Sequence, residues 1–96
     1  MRFDDHLYVG DKAKKHRFSI LQGIREEKLQ PEVYVITPSE YGNNLYEIFP
    51  SAVLLLPPYR GSDYLVCGIA VTYWEALEVV RQMVDDRYQQ GSLTIR

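Results

Sequence analysis

The chain has 96 residues, of which 46% are hydrophobic and 25% are charged, and this composition is typical of one globular domain spanning residues 1–96. The formal net charge of −2 disfavours a polyanion as the main partner. The segment from Met1 to Gly10 is too charged for a signal peptide, and the longest aliphatic run, Ala52 to Leu56, is too short to span a bilayer, so we expect a cytoplasmic protein. The single cysteine, Cys67, excludes an internal disulfide and a thiolate-only metal site.

The chain opens with a short strand and a helix. Leu7, Tyr8 and Val9 predict a strand from His6 to Gly10, which the glycine closes. Apolar residues at helical spacing then predict a helix from Lys12 to about Lys28.

Positive charge is concentrated at the start of this helix. The residues are Lys12, Lys14, Lys15 and Arg17. They crowd the positive end of the helix dipole, where acidic residues are normally preferred. One interpretation is a site for a small anion or an acidic protein partner. The other is a solvated basic face that meets Asp85 and Asp86 of the second helix.

The middle of the chain is a strand followed by a long connection. Glu32 to Thr37 predicts a strand that Pro38 ends. The excursion from Pro38 to Ser62 contains a short strand at Leu45 to Phe49. Ser51 to Leu56 fits either a buried strand or a helical turn stopped by the prolines that follow, and we favour the turn.

The most informative stretch begins at Asp63. Tyr64 to Val71 is apolar on both faces, which predicts a strand that is central in its sheet or whose second face meets a partner. Thr72 and Glu75 form a T-x-x-E capping box that starts a helix ending near Gln90. Ser92 to Arg96 alternates apolar and polar residues and predicts a final strand.

The second helix carries one broad stripe that we expect to be buried. Its members recur at spacings of three and four residues, as on one face of an amphipathic helix. They are Tyr73, Ala76, Leu77, Val80, Met83, Val84 and either Arg87 or Tyr88.

The order of elements predicts an α+β fold of the ferredoxin-like type, a split βαβ plait with an antiparallel sheet. Right-handed crossovers would place both helices on one face and leave the other open. Such a face would be apolar and rich in tyrosine, and we expect it to bind a second copy in a dimer or higher oligomer, or a ligand. Its predicted residues are Tyr8, Tyr34, Ile36, Tyr64 and Val66.

Two short segments support an alternative function. Leu7-Tyr8-Val9-Gly10 resembles the first-strand motif of RNA recognition motif domains, and Arg60-Gly61-Ser62-Asp63-Tyr64-Leu65 resembles their third-strand motif. The resemblance implies that Tyr8 and Tyr64 stack on the bases of single-stranded RNA. RNA binding is therefore the alternative to self-association.

A second resemblance covers more of the chain. Tyr64 to Ala70 and Glu75 to Val80, together with the strand Val33 to Thr37, resemble the pattern YVVGIAxxYxEALELV of small uncharacterised bacterial proteins. This resemblance implies a free-standing bacterial domain and no particular mechanism.

Catalytic signals are weak. His6 and His16 lie on different elements and do not have a metal-ligand spacing. Ser39 and Ser51 have no nucleophile context. We therefore expect no cofactor or metal and a binding or assembly module rather than an enzyme, although a small enzyme using the basic cluster stays open.

Overall fold

The protein is an α+β domain with a four-stranded mixed sheet. The computed structural model describes residues 1–39, 46–57 and 59–94, and side chains as far as Tyr88. Its strands are β1 (Arg2–Val9), β2 (Tyr34–Pro38), β3 (Tyr46–Pro50) and β4 (Leu65–Ala70), and its helices are α1 (Arg17–Arg25) and α2 (Tyr73–Thr94). Two 3-10 turns, Ala13–His16 and Ser51–Leu55, precede α1 and follow β3.

The sheet has the strand order β1-β4-β2-β3. β4 is parallel to β1 and antiparallel to β2, and β2 is antiparallel to β3. The apolar run from Tyr64 to Val71 therefore contains an interior strand, as its composition predicted. The side chains of Val66 and Ile69 are fully buried there, which is the environment expected of a strand with partners on both sides.

The two helices pack on opposite faces of the sheet. Val35 and Ile36 are neighbours on β2 and therefore point to opposite faces, yet both are fully buried. Val35 belongs to the cluster that contains Ile20 of α1, whereas Ile36 packs with Val79 of α2. The prediction of both helices on one face is therefore wrong.

The direction of β1 explains this arrangement. The right-handed crossover rule applies to a connection between parallel strands. β1 is parallel to β4 while β2 is antiparallel to it, so β1 and β2 run in opposite directions and the rule does not constrain α1. The strand order is not clearly that of a ferredoxin-like plait, and the sheet is mixed rather than antiparallel.

The predicted final strand is also wrong. α2 continues through Gly91 to Thr94, so the first three residues of the predicted strand are helical, and residues 95 and 96 lie outside the described residues. A glycine inside a helix costs about 1 kcal/mol relative to alanine, which a long helix tolerates. The edge of the sheet beside β2 is occupied by β3, the short strand predicted within the excursion.

Of two further predictions before β4, one is confirmed and the other needs a correction. The turn at Ser51–Leu55 is confirmed as a 3-10 turn, and its Ser51 hydroxyl donates to the carbonyl of Gln30 at 3.0 Å. The first helix is divided into the 3-10 turn and α1, and it ends before Lys28 because Glu27 adopts a left-handed φ of 56°. That conformation lets the Lys28 amide donate to the carbonyl of Gly23 at 2.9 Å and closes the helix end.

Candidate functional site

The residues predicted to form one open sheet face are divided between the two faces. Tyr8, Tyr34 and Ile36 belong to the cluster that α2 covers, whereas Tyr64 and Val66 belong to the cluster that α1 covers. Ile36 and Val66 are fully buried, and the three tyrosines are partly buried. The five residues therefore do not form one shared surface.

Tyr8 is held by α2. Its hydroxyl donates to Oδ2 of Asp86 at 2.6 Å. This hydrogen bond, with burial as a second cause, raises the pKa of Tyr8 to about 12. On the other face, burial raises the pKa of Tyr64. Because the sheet lies between the two rings, they cannot stack successive bases of one strand.

The basic residues Lys12, Lys14, Lys15 and Arg17 are exposed around the first 3-10 turn. Lys14 pairs with Asp11 at 3.3 Å. On α2, Asp85 accepts from Arg81 and Asp86 accepts from Tyr8, so both acidic residues have partners other than the lysines. The helix that they were expected to start begins as a four-residue 3-10 turn, and Arg17 is the first residue of α1.

Glu75 connects this turn to the start of α2. Its amide donates to Oγ1 of Thr72 at 3.0 Å, which confirms half of the predicted capping box. Its carboxylate accepts from the amides of Val71 at 2.9 Å and Lys12 at 2.6 Å, instead of returning to the Thr72 amide. The α carbon of Gly10 packs so closely on this carboxylate that a β carbon there would overlap it.

An open groove of about 910 Å³ lies between the end of β1 and α2. Its charged lining is mixed, with the basic Lys12, Lys14 and Arg81 and a larger acidic set. The acidic residues are Asp11, Glu75, Glu78, Asp85 and Asp86. Several of these groups already bond to one another, so the groove offers neither a uniform charge for an anion nor a matched acid and base for catalysis.

The single cysteine is a buried thiol. Cys67 is buried, and burial is the main cause that raises its pKa to about 11, so it stays a thiol near neutral pH. Within residues 1–39, 46–57 and 59–94, no group of three His, Cys, Asp or Glu side chains is placed to hold a metal ion. In the same part of the chain, no helix combines the length and apolarity needed to cross a membrane.

α2 carries a second apolar surface that faces solvent. The buried side of the helix is formed by Ala76, Val79 and Met83. We define the outer face of α2 by five large exposed side chains, Tyr73, Trp74, Leu77, Val84 and Tyr88. Trp74 is 77% exposed and Tyr88 is 76% exposed, although both rings are large and apolar.

Contacts with the sheet hold one end of the outer face in place. The rings of Tyr73 and Tyr34 meet edge to face with centroids 6.1 Å apart, and Trp74 lies 6.3 Å from Tyr73. Near the other end, Arg87 donates to the hydroxyl of Tyr46 at 3.1 Å. The contact with Tyr34 restricts the Tyr73 ring, which therefore loses less conformational entropy on binding a partner.

The sequence contained a signal for the outer face. The apolar stripe that we predicted on this helix includes Tyr73, Leu77 and Val84 beside the truly buried positions, and Trp74 lies just outside it. The sheet buries only the part of the helix surface around Ala76 and Val79. The remainder of the broad apolar stripe is therefore exposed. The width of the stripe was therefore the indication of a second contact surface.

Comparisons with known proteins give no relative. No family model matches the chain, and neither the curated proteins nor the solved structures contain a significant match.

Proposed function

We propose that this protein is a non-enzymatic assembly module that binds a second copy of itself through the outer face of α2. The observation that carries the proposal is the exposure of Tyr73, Trp74, Leu77, Val84 and Tyr88 along one side of a single long helix. Large exposed apolar patches that are bounded by polar residues are typical of protein contact surfaces. Here the boundary is polar, because Glu78, Arg81 and Asp85 lie beside the patch.

The size of the patch suits a modest dimer. A fully buried aromatic side chain covers about 150–250 Å², so the five partly exposed side chains present on the order of 500 Å². Two such surfaces would together bury about 1,000 Å², which is the lower limit for a specific interface. We therefore expect a dissociation constant of about 10 μM rather than a permanent dimer.

The outer face replaces the sheet as the surface for self-association. Self-association through the sheet required a face without a cover, but Val35 and Ile36 are fully buried on opposite sides of β2. The outer face of α2 is an apolar surface that is exposed in this way. Aromatic residues are also enriched at the centres of protein interfaces.

The fluorescence of Trp74 tests the proposal, since it is the single tryptophan of the chain. If copies associate through the outer face, its emission should shift to shorter wavelength as the protein concentration rises from about 1 to 100 μM, a range that brackets the expected dissociation constant. Acrylamide quenching should weaken over the same range. An emission spectrum and quenching constant that do not change with concentration would contradict the proposal.

A further inference from the structure

The outer face of α2 has the symmetry of a two-fold interface. Tyr73 and Tyr88 lie equally far from the midpoint between Val80 and Arg81, and Leu77 and Val84 are also equidistant from it. Tyr73 is thus matched by a ring and Leu77 by an aliphatic side chain, whereas the position that corresponds to Trp74 is Arg87. A two-fold interface requires this self-complementarity, because the same surface contributes both sides.

We infer that two copies pair with their α2 helices antiparallel, so that Leu77 of one copy packs on Val84 of the other and Tyr73 packs on Tyr88. This arrangement rests on the proposed function and specifies its partner and register. It places the two-fold axis beside Val80 and Arg81. All four contact positions are large exposed side chains on α2.

The charges beside the patch favour the antiparallel direction. Arg81 lies near the midpoint and pairs with Glu78 at 3.0 Å and Asp85 at 3.3 Å within its own helix. In an antiparallel pair, the Arg81 side chain of one copy lies about 3 Å along the helix from Glu78 of the other, from a rise of 1.5 Å per residue. The two arginines and two glutamates can then form one neutral network.

A parallel pair would bring like charges together. Glu78 would face Glu78 and Asp85 would face Asp85 of the second copy, whereas the antiparallel register separates these like charges by about 7.5 and 13.5 Å along the helix, from the rise of 1.5 Å per residue. Like charges that face each other across a pair of helices repel and disfavour that orientation of the pair. The apolar contacts alone would permit either direction, and Arg81 lies beside Arg81 of the second copy in both, so Glu78 and Asp85 select the antiparallel one.

Disulfide formation tests the register. We would prepare Leu77→Cys and Val84→Cys separately, one of them with a removable tag that changes its mass, and oxidise each alone and in an equal mixture. In the inferred register the two cysteines face each other in the mixture. Two copies of the same variant place their cysteines about 10 Å apart along the helix axis, from the rise of 1.5 Å per residue, which exceeds the usual Cα separation of a disulfide of about 4–7 Å.

The mixture should therefore form the disulfide heterodimer at least tenfold faster than either variant forms a homodimer. The wild-type chain is the first control, because its only cysteine, Cys67, is buried. Phe18→Cys is the second, because Phe18 is 85% exposed on α1, away from the outer face. Neither control should cross-link at a comparable rate.

The results separate the register from the proposed function. Rapid homodimer formation by Leu77→Cys alone would overturn the antiparallel register, while the outer face would remain the surface of association. Equal, slow cross-linking in every sample, with concentration-independent Trp74 fluorescence, would overturn both.

Charge exchange provides a second test that needs no cysteine. Arg81→Glu should weaken association at least tenfold, because the centre of the interface would become uniformly acidic. Adding Glu78→Arg to that variant should restore most of the loss, since each helix again carries one charge of each sign. A double variant that associates as weakly as Arg81→Glu alone would overturn the inferred network.

Discussion

Replacing Glu75 tests how the two halves of the domain are joined. Glu75→Ala removes the acceptor for the amides of Lys12 and Val71, which lie 2.6 and 2.9 Å from the carboxylate. A hydrogen bond to a charged group contributes about 1.5–3 kcal/mol, and because Glu75 is only half-buried we take a total of about 2 kcal/mol for the two bonds. For a domain of this size that loss lowers the Tm by roughly 8–16 °C.

Combining Glu75→Ala with Gly10→Ala tests whether the two residues are in contact. A β carbon at Gly10 would overlap the Glu75 carboxylate and displace it from the amides of Lys12 and Val71, so Gly10→Ala should cost about 1–3 kcal/mol through those lost hydrogen bonds. In a Glu75→Ala background the obstruction is gone and the same substitution should cost much less. The coupling free energy between the two substitutions should therefore be at least about 1 kcal/mol.

Urea unfolding followed by circular dichroism would measure these differences at one low protein concentration, because self-association would add to the apparent stability. The exposed Glu32 provides the control, and Glu32→Ala should change the free energy of unfolding by less than about 0.5 kcal/mol. If the effects of Gly10→Ala and Glu75→Ala add within about 0.5 kcal/mol, the proposed packing of Gly10 on the carboxylate is refuted.

Three further predictions concern single side chains. The Asp86 hydrogen bond raises the pKa of Tyr8 to about 12. The contribution of this bond to stability should therefore be present below pH 10, where the unfolded phenol remains protonated, and be lost as the pH rises through about 12. An ultraviolet titration in which Asp86→Asn leaves every tyrosine unchanged would contradict this prediction. Because its thiol is buried, Cys67 should react with a thiol reagent at pH 8 at least about a hundredfold more slowly in the native protein than in denaturant. Equal rates would refute that burial. Single-stranded RNA should not bind at about 150 mM salt, because Tyr8 and Tyr64 lie on opposite sides of the sheet. A micromolar complex that Tyr8→Ala weakens would restore the RNA-binding alternative.

The parts of the fold that the sequence predicted are those encoded locally. The interior strand β4 was evident from an apolar run, and the start of α2 from the Thr72–Glu75 spacing. Both signals lie within a few neighbouring residues and need no knowledge of the remaining chain. The short strand β3 and the 3-10 turn that follows it were identified for the same reason.

Long-range features were harder to predict. The two apolar faces of β4 indicated correctly that both would be covered, but the pattern does not identify the cover. We expected a second copy on one face, whereas α1 covers it. The difference depends on the direction of β1, which is determined by pairing with a strand far away in sequence.

The candidate site was missed because burial was assigned too broadly on α2. Leu77 and Val84 fit the same helical stripe as Ala76 and Met83, and periodicity alone does not show where burial ends. The second function of Glu75, as acceptor for Lys12, could not be predicted either. It requires the end of β1 to lie beside the start of α2, which only the sheet topology establishes.

The solution mass of the protein tests the proposed assembly most directly. At about 100 μM, tenfold above the expected dissociation constant, sedimentation equilibrium should show the wild-type chain mainly as a dimer. Phe18→Glu should remain a dimer, because Phe18 is exposed on α1, whereas Leu77→Glu should be a monomer with an unchanged circular dichroism spectrum. A monomeric wild-type chain at that concentration, or a Leu77→Glu variant that still dimerises, would contradict self-association through the outer face of α2.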